Sequence, residues 1–359
     1  MIRVAPLPGT ALLVVLLATA CSSGSTGTGN TTPPPPGPPP PPPQQTIQFT
    51  VLPMALADLE NVAPIGNLNP PGHTFPSDHI GLTHTTVGQP PSGAYVVYAP
   101  AAGHVRAVYG GGPDAGIEVG PQPLGEVGGE RTWYYMGHII LDPGIGVGSQ
   151  LTAGQRIGTN SGMAGGVDFG LVDMAVTNGF IRGERYGIKM KHAVKPLSRF
   201  TPALRAQLAA MVDRTGANDE DGKLVYDMAG RLIGNWFHES LPYDQSAETS
   251  PANWSKHLAF TEIPTTAGER VIATGGFGTG ESTVYWIEPA ATDFATVSPS
   301  SGKVVYRSVA GLRRWWQHPV QADRYFLVEM TGPETLRIEM FMGATAPTAF
   351  TAAAQTYKR

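Results

Sequence analysis

Residues 146–173 limit what this chain can fold into more than any other stretch. A glycine-punctuated run ends in Ala153-Gly154-Gln155-Arg156-Ile157-Gly158. It leads into Val167-Asp168-Phe169-Gly170-Leu171-Val172-Asp173. The second segment repeats with period two, so it reads as a strand with Val167, Phe169 and Leu171 on one face and Asp168 on the other. An acidic residue opposite an apolar row is either an ordinary solvent-side residue or part of a site. The rest of the chain bears on that choice.

The same strand-and-turn pattern recurs. Glycine (45 residues) and proline (34) interrupt the 359 residues, and no long helical periodicity survives. This points to an all-β architecture. The length suits two domains. Folding starts near Thr46, where Ile47, Phe49 and Val51 alternate as a strand. A Pro- and Gly-rich loop, Asn67–Pro76, precedes His73-Thr74-Phe75-Pro76-Ser77-Asp78-His79-Ile80-Gly81-Leu82. Tyr95–Tyr109 reads as two strands joined by a tight Pro100–Gly103 turn. Gly116–Val119, Thr132–Ile140 and Val167–Val176 complete a sheet. Thr201-Pro202 opens a helix with Leu204, Leu208, Met211 and Val212 as its stripe, ending before Gly216. Strands follow at 224–226, 232–237, 257–260, 271–273, 283–287, 304–306, 325–330 and 336–341, which implies a second sandwich or barrel. The expected division is 46–196 for the first β-domain and 197–359 for a β-rich C-terminal domain with a leading helix.

The N-terminal end has a different composition. Arg3, the apolar run Ala11–Leu17 and the small residues Ala18-Thr19-Ala20 form a signal peptide, residues 1–20. Cys21 is the sole cysteine and falls at the cleavage point, so no disulfide can form. Leu17-Ala18-Thr19-Ala20-Cys21 resembles the lipobox of bacterial lipoproteins, which implies lipidation of Cys21 and a membrane anchor. Residues 21–45 are a Ser/Gly-rich and then nearly pure proline tether, a flexible leash followed by a polyproline rod. The expected location is the cell envelope, facing periplasm or exterior. Charged residues make up only 14% and the net charge is −4. That leaves no basic footprint for a nucleic-acid partner.

Four segments in order carry a family resemblance. Tyr98–Val105 looks like the V-x-A-P-A-D-G-x-V turn of the lysostaphin-type (LytM-like) peptidoglycan endopeptidases. Tyr135-Met136-Gly137-His138-Ile139 resembles their L-Y-A-H-L strand. Residues 147–158 resemble V-x-x-G-Q-x-V-x-x-G-Q-x-I-G, and Val167–Leu171 sits where H-L-H-F-E is expected. The likeness covers roughly residues 70–180. It implies a lysostaphin-like antiparallel β-sheet, a zinc ion, and peptidoglycan or a cell-wall peptide as substrate. In that family, H-x-x-x-D and the second His of H-x-H hold zinc. The first His of H-x-H and the strand His assist catalysis, which assigns that role to His138 here.

The sequence departs from the family at the ligands. H-x-H reads Gly166-Val167-Asp168, and H-x-x-x-D reads His73-x4-Asp78-His79. If Ile80 and Leu82 face the core, His79 faces the cleft with Gly81. His73, His79 and Asp168 then form a two-His, one-Asp set with its members exchanged. Asp78 is the competing ligand if the register slips by one. The plainer alternative for His73 and Asp78 is turn chemistry. A metallopeptidase and a non-catalytic wall-binding or hydrolase-regulating protein both fit. His84 and His104 read as surface or edge residues. Asp219–Gly222 lacks the first and twelfth ligands of a calcium loop, and Gly275–Gly280 is no phosphate loop. Trp236, Trp254, Trp286 and the pair Trp315-Trp316 serve either core packing or stacking on sugar rings.

Overall fold

The structure, a computed structural model, describes residues 46–84, 90–126, 131–212, 221–264, 266, 268–276, 281–310, 324–343 and 345–359. The signal peptide, Cys21, the tether, Asp219, Glu220, glycines 278 and 280, and Trp315-Trp316 lie outside the described residues. The described chain is all-β. Ten strands form one antiparallel sheet and eight more close a barrel.

The sheet strands are β1 (Asn61–Ala63), β2 (His79–Thr83), β3 (Val96–Tyr98), β4 (Gly103–Gly111), β5 (Asp114–Gly120) and β6 (Thr132–Leu141). β7 (Gln150–Leu151), β8 (Arg156–Asn160), β9 (Gly166–Asp173) and β10 (Ala193–Val194) complete it. The main path runs β1-β2-β9-β6-β5-β4-β7, so β9 lies between β2 and β6. Alternation then sorts the side chains. Val167, Phe169 and Leu171 are fully buried, beside Ile80 and Leu82 of β2 and Tyr134 and Met136 of β6. Phe49 and Phe200 cover this face, with ring centroids 4.9 Å and 5.8 Å from Phe169. Burying each such side chain stabilises the fold by about 1.5–3 kcal/mol. His79, Gly81, Tyr135, Gly137, Asp168 and Gly170 fall on the opposite face.

The barrel strands are β11 (Gly234–His238), β12 (His257–Glu262), β13 (Arg270–Thr274), β14 (Thr283–Ile287), β15 (Lys303–Val309), β16 (Arg324–Gly332), β17 (Thr335–Met342) and β18 (Gln355–Lys358). Trp236 and Trp286 are buried there, and Trp254 is half-buried. One apolar core runs from the sheet to the barrel wall. Phe237 meets the rings of Phe75 at 4.9 Å and Tyr186 at 5.3 Å.

Several local expectations change. Residues 47–51 form no strand. Phe49 makes a single parallel bridge to Phe200 and serves as a plug for the core. The Pro100–Gly103 turn joins no hairpin, because β3 pairs with β8 while β4 pairs with β5 and β7. Residues 224–226 stay irregular. The helix runs Pro202–Ala209 with Leu208 buried, and Thr201 makes no side-chain cap bond. His84 is buried and stacks on Tyr95 at 4.2 Å, so it is not a surface residue.

His257 ties the segment before β12 to the loop before β2. Its ring stacks on Phe75 at 4.3 Å, and its Nε2 bonds the Ala247 carbonyl at 2.7 Å. Burial pushes its pKa down to about 4 against the pull of that carbonyl. The folded chain therefore keeps it neutral, whereas the unfolded chain protonates it near 6.5. Its contribution is complete above pH 6.5 and is lost as pH falls from 6.5 towards 4. Urea titrations across that window should show a steeper loss for the wild type than for His257→Gln. Parallel curves would disprove the neutral-histidine account.

Candidate metal centre

His73 comes from the loop ahead of β2. Asn69 and His73 exchange backbone bonds of 2.8 and 3.0 Å, and the Ser77 N–H bonds the Asn67 carbonyl at 3.0 Å. The loop is thereby closed on itself ahead of β2. His79 opens β2 opposite Gly170, and Asp168 sits mid-strand between Gly81 and Gly137. Ligand-capable atoms of His73, His79 and Asp168 all lie within 4.8 Å of one another. The His73 and His79 rings meet edge-on at 4.9 Å.

One donor pair already stands at the spacing of a tetrahedral cation. Donors about 2.0–2.1 Å from a zinc ion stand about 3.3 Å apart. His79 Nε2 and Asp168 Oδ1 are 3.3 Å apart. Two imidazoles and one carboxylate are a donor set that zinc accepts. Asp78 stands behind this set. Its Oδ1 lies 2.7 Å from His79 Nδ1, where it accepts the ring N–H and turns Nε2 towards Asp168.

Asp168 also reaches a second histidine, with Oδ2 3.3 Å from His138 Nε2. His138 Nδ1 is 3.1 Å from Asp114 Oδ1. His138 lies outside the three-donor group but shares its carboxylate. Its backbone is left-handed, with φ 63°. The cause lies in the pairing of β6, which follows β9 as far as Gly137 and takes β8 as partner from Ile139. Register with β5 shifts at the same place. This irregularity aims the ring at the cleft.

Burial lowers the pKa of His73 to about 4, and neighbouring His79 adds to that effect. Burial works against the charge on His79 too, but Asp168 and Asp78 outweigh it and hold the ring up at about 10. The Asp168 hydrogen bond raises His138 to about 9, against burial. Burial opposes the Asp168 charge, yet His79 and His138 hold its carboxyl well below the usual range.

The floor around these groups is glycine and tyrosine. A Cβ on Gly170 would lie 2.1 Å from the Tyr135 ring, and one on Gly116 would lie 2.2 Å from the Tyr109 ring. Each ring therefore lies flat across the glycine paired with it. The Lys189 ammonium sits 4.1 Å above the Tyr109 ring and 4.2 Å above the Tyr135 ring. Sequence reading missed Asp114, Tyr109 and Lys189. Asp114 follows Gly-Gly-Gly-Pro in a turn-like context, and nothing local ties Lys189 to a site 20 residues earlier.

No protein-family model matches this sequence, and no curated protein matches it. Among solved structures, Helicobacter pylori Csd3 is similar at 13% identity and TM-score 0.25, covering 36% of this chain and 30% of that one. This chain thus spans about a third of the Csd3 length. The catalytic domain of a mutant of the prophage-encoded M23 protein EnpA from Enterococcus faecalis is similar at 16% identity and TM-score 0.21. That match covers 37% of this chain and 83% of the domain. Lysostaphin is similar at 11% identity and TM-score 0.27, with 87% of this chain and 91% of that one covered. Likeness at this level assigns no family.

The left-handed backbone at His138 sets a clear expectation. His138→Gly and His138→Ala lose the same imidazole, but only alanine pays for the positive φ. Chemical denaturation should find the glycine variant more stable by about 1 kcal/mol. The reverse order would mean that the backbone at this position is not left-handed in solution.

Proposed function

We propose that this chain is a lipid-anchored envelope protein that binds zinc on His73, His79 and Asp168 and acts on peptidoglycan peptides. The observation that carries the reading is the convergence of those three side chains on one sheet face. The motif order from Tyr98 to Leu171, resembling the lysostaphin-type endopeptidases, supports the substrate class. The N-terminal sequence supports the anchor at Cys21 and the envelope location.

Zinc bound here supplies a polarised water and a Lewis acid for the scissile carbonyl. The chain's own groups do the rest. Burial keeps His73 neutral and able to ligate. Asp78 holds the Nδ1–H of His79, which fixes the tautomer that offers Nε2. His138, anchored through Nδ1 on Asp114, is placed to hold a proton at Nε2 and pass it to a leaving amine.

One observation favours the second reading, a protein that binds wall or regulates a hydrolase without cleaving. Gly166 stands where the resembling family places its first H-x-H histidine. A Cβ there would lie 2.2 Å from the Leu82 carbonyl oxygen, so β2 excludes any side chain. Loss of one transition-state donor costs roughly 10²–10³ in rate.

Metal analysis after zinc loading should find about one ion per chain that EDTA removes. His73→Ala, His79→Ala and Asp168→Ala should each abolish stoichiometric binding. Asp78→Asn should weaken it by roughly 10–100-fold. Zinc must displace the His79 proton, so affinity should climb with pH towards about 10. Wild-type protein without zinc would refute the metal reading. Zinc-loaded protein that leaves purified sacculi intact, judged by mass spectrometry of released peptides, would select the non-catalytic reading.

A further inference from the structure

A cavity of about 110 Å³ adjoins the candidate centre and is lined by His73 and Asp78. Its other walls come from the same loop and from distant parts of the chain. Phe75 lies in the loop before β2, Met190 in the short helix Ile188–His192, and Glu248 and Trp254 in the segment leading to β12. Pockets for whole drug-sized ligands run to about 300–1,000 Å³. This one accepts a single side chain or a chain terminus.

The polarity of the cavity is lopsided. Glu248 Oε2 accepts the Gly187 N–H at 2.9 Å, and the other carboxylate oxygen has no hydrogen-bond partner among the described residues. Among the described residues no lysine or arginine lines the space. Burial raises Glu248 to about 7; the Gly187 N–H opposes this, and the Asp78 charge adds to it. Glu248 is half-buried, and a partly desolvated carboxylate without a counter-charge gains from an incoming cation. The Met190 side chain and the half-buried Trp254 ring, packed beneath Gly72, give an apolar wall for an aliphatic stem. An indole face also attracts an ammonium group.

We propose that this cavity is a subsite for a primary ammonium group on a short aliphatic stem, paired with Glu248 and walled by Met190 and Trp254. The source is a lysine-like side chain or a free amino terminus of a peptide. That assignment rests on the reading of the chain as a peptide-acting protein. The subsite would give such a protein a preference for amine-bearing peptides next to its metal centre.

Calorimetry on the full chain in EDTA tests the subsite without metal. The probes are Nα-acetyl-lysine amide, norleucine amide with its free amine, and Nα-acetyl-norleucine amide, which has neither ammonium. One of the two ammonium probes should bind at least about tenfold tighter than the neutral one, and which one does so identifies the source. Glu248→Gln should erase that preference. Thr249→Lys, at an exposed position on the cavity wall, supplies its own cation and should erase it as well, with a melting temperature no lower than that of the wild type. Equal binding of all three probes, no binding of any, or a preference that survives both substitutions would overturn the proposal. A preference for ammonium in a protein that takes up no zinc would sink the metal reading alone.

Discussion

One carboxylate holds two histidines. Asp168 faces His79 with one oxygen and His138 with the other, from the middle of a sheet whose flanking strands place Gly81 and Gly137 beside it. Stranding the charge of half-buried Asp168 without a histidine partner would carry a cost. The sheet avoids that cost by bringing β2 and β6 to either side of β9. Asp78 and Asp114 then restrain the far nitrogens of the two rings. The cleft is thus a chain of alternating acids and imidazoles, with each member oriented by the next. His73 is the exception, held in place by the backbone of its loop and by burial.

Much of the sheet could be read from the amino acids because its faces differ so strongly. Period-two alternation in Val167–Asp173 separates the apolar row from Asp168, and Ile80 and Leu82 do the same for His79. What escaped notice depended on partners far away in sequence. β3 looked like half of a hairpin because a turn follows it, yet its partner β8 lies some 60 residues further on. β18 closes the barrel with only Tyr357 as an apolar residue, and four residues with one buried side chain make no pattern. Asp114 and the left-handed backbone of His138 emerge only when β6 changes partners, an event that no local composition records.

The side chains possible at Gly166 and at Asp168 belong to one steric situation. At Gly166 the main chain of β2 comes so close that nothing larger than hydrogen fits. Two residues further on, the glycines of both neighbouring strands leave Asp168 room to reach sideways in two directions. A short carboxylate uses that room well. The position of Asp168 is thus built around the backbone spacing of three strands.

The tyrosines lying on glycines carry a less obvious consequence. Gly116 and Gly170 bear no charge, yet the absence of a Cβ at each lets the Tyr109 and Tyr135 rings lie where they do. Those rings, with Glu118 at 3.2 Å, hold the Lys189 ammonium; burial opposes the Asp78 charge, the His79 hydrogen bond lowers its carboxyl, and Lys189 adds the smallest share of that lowering. A methyl group added at either glycine would displace a ring, and with it the cation that lies over both rings, beside an acid at the entry to β2. The electrostatics of this cleft are therefore partly written in side chains that do not exist, and changes at the two glycines and at Asp78 are coupled across the sheet.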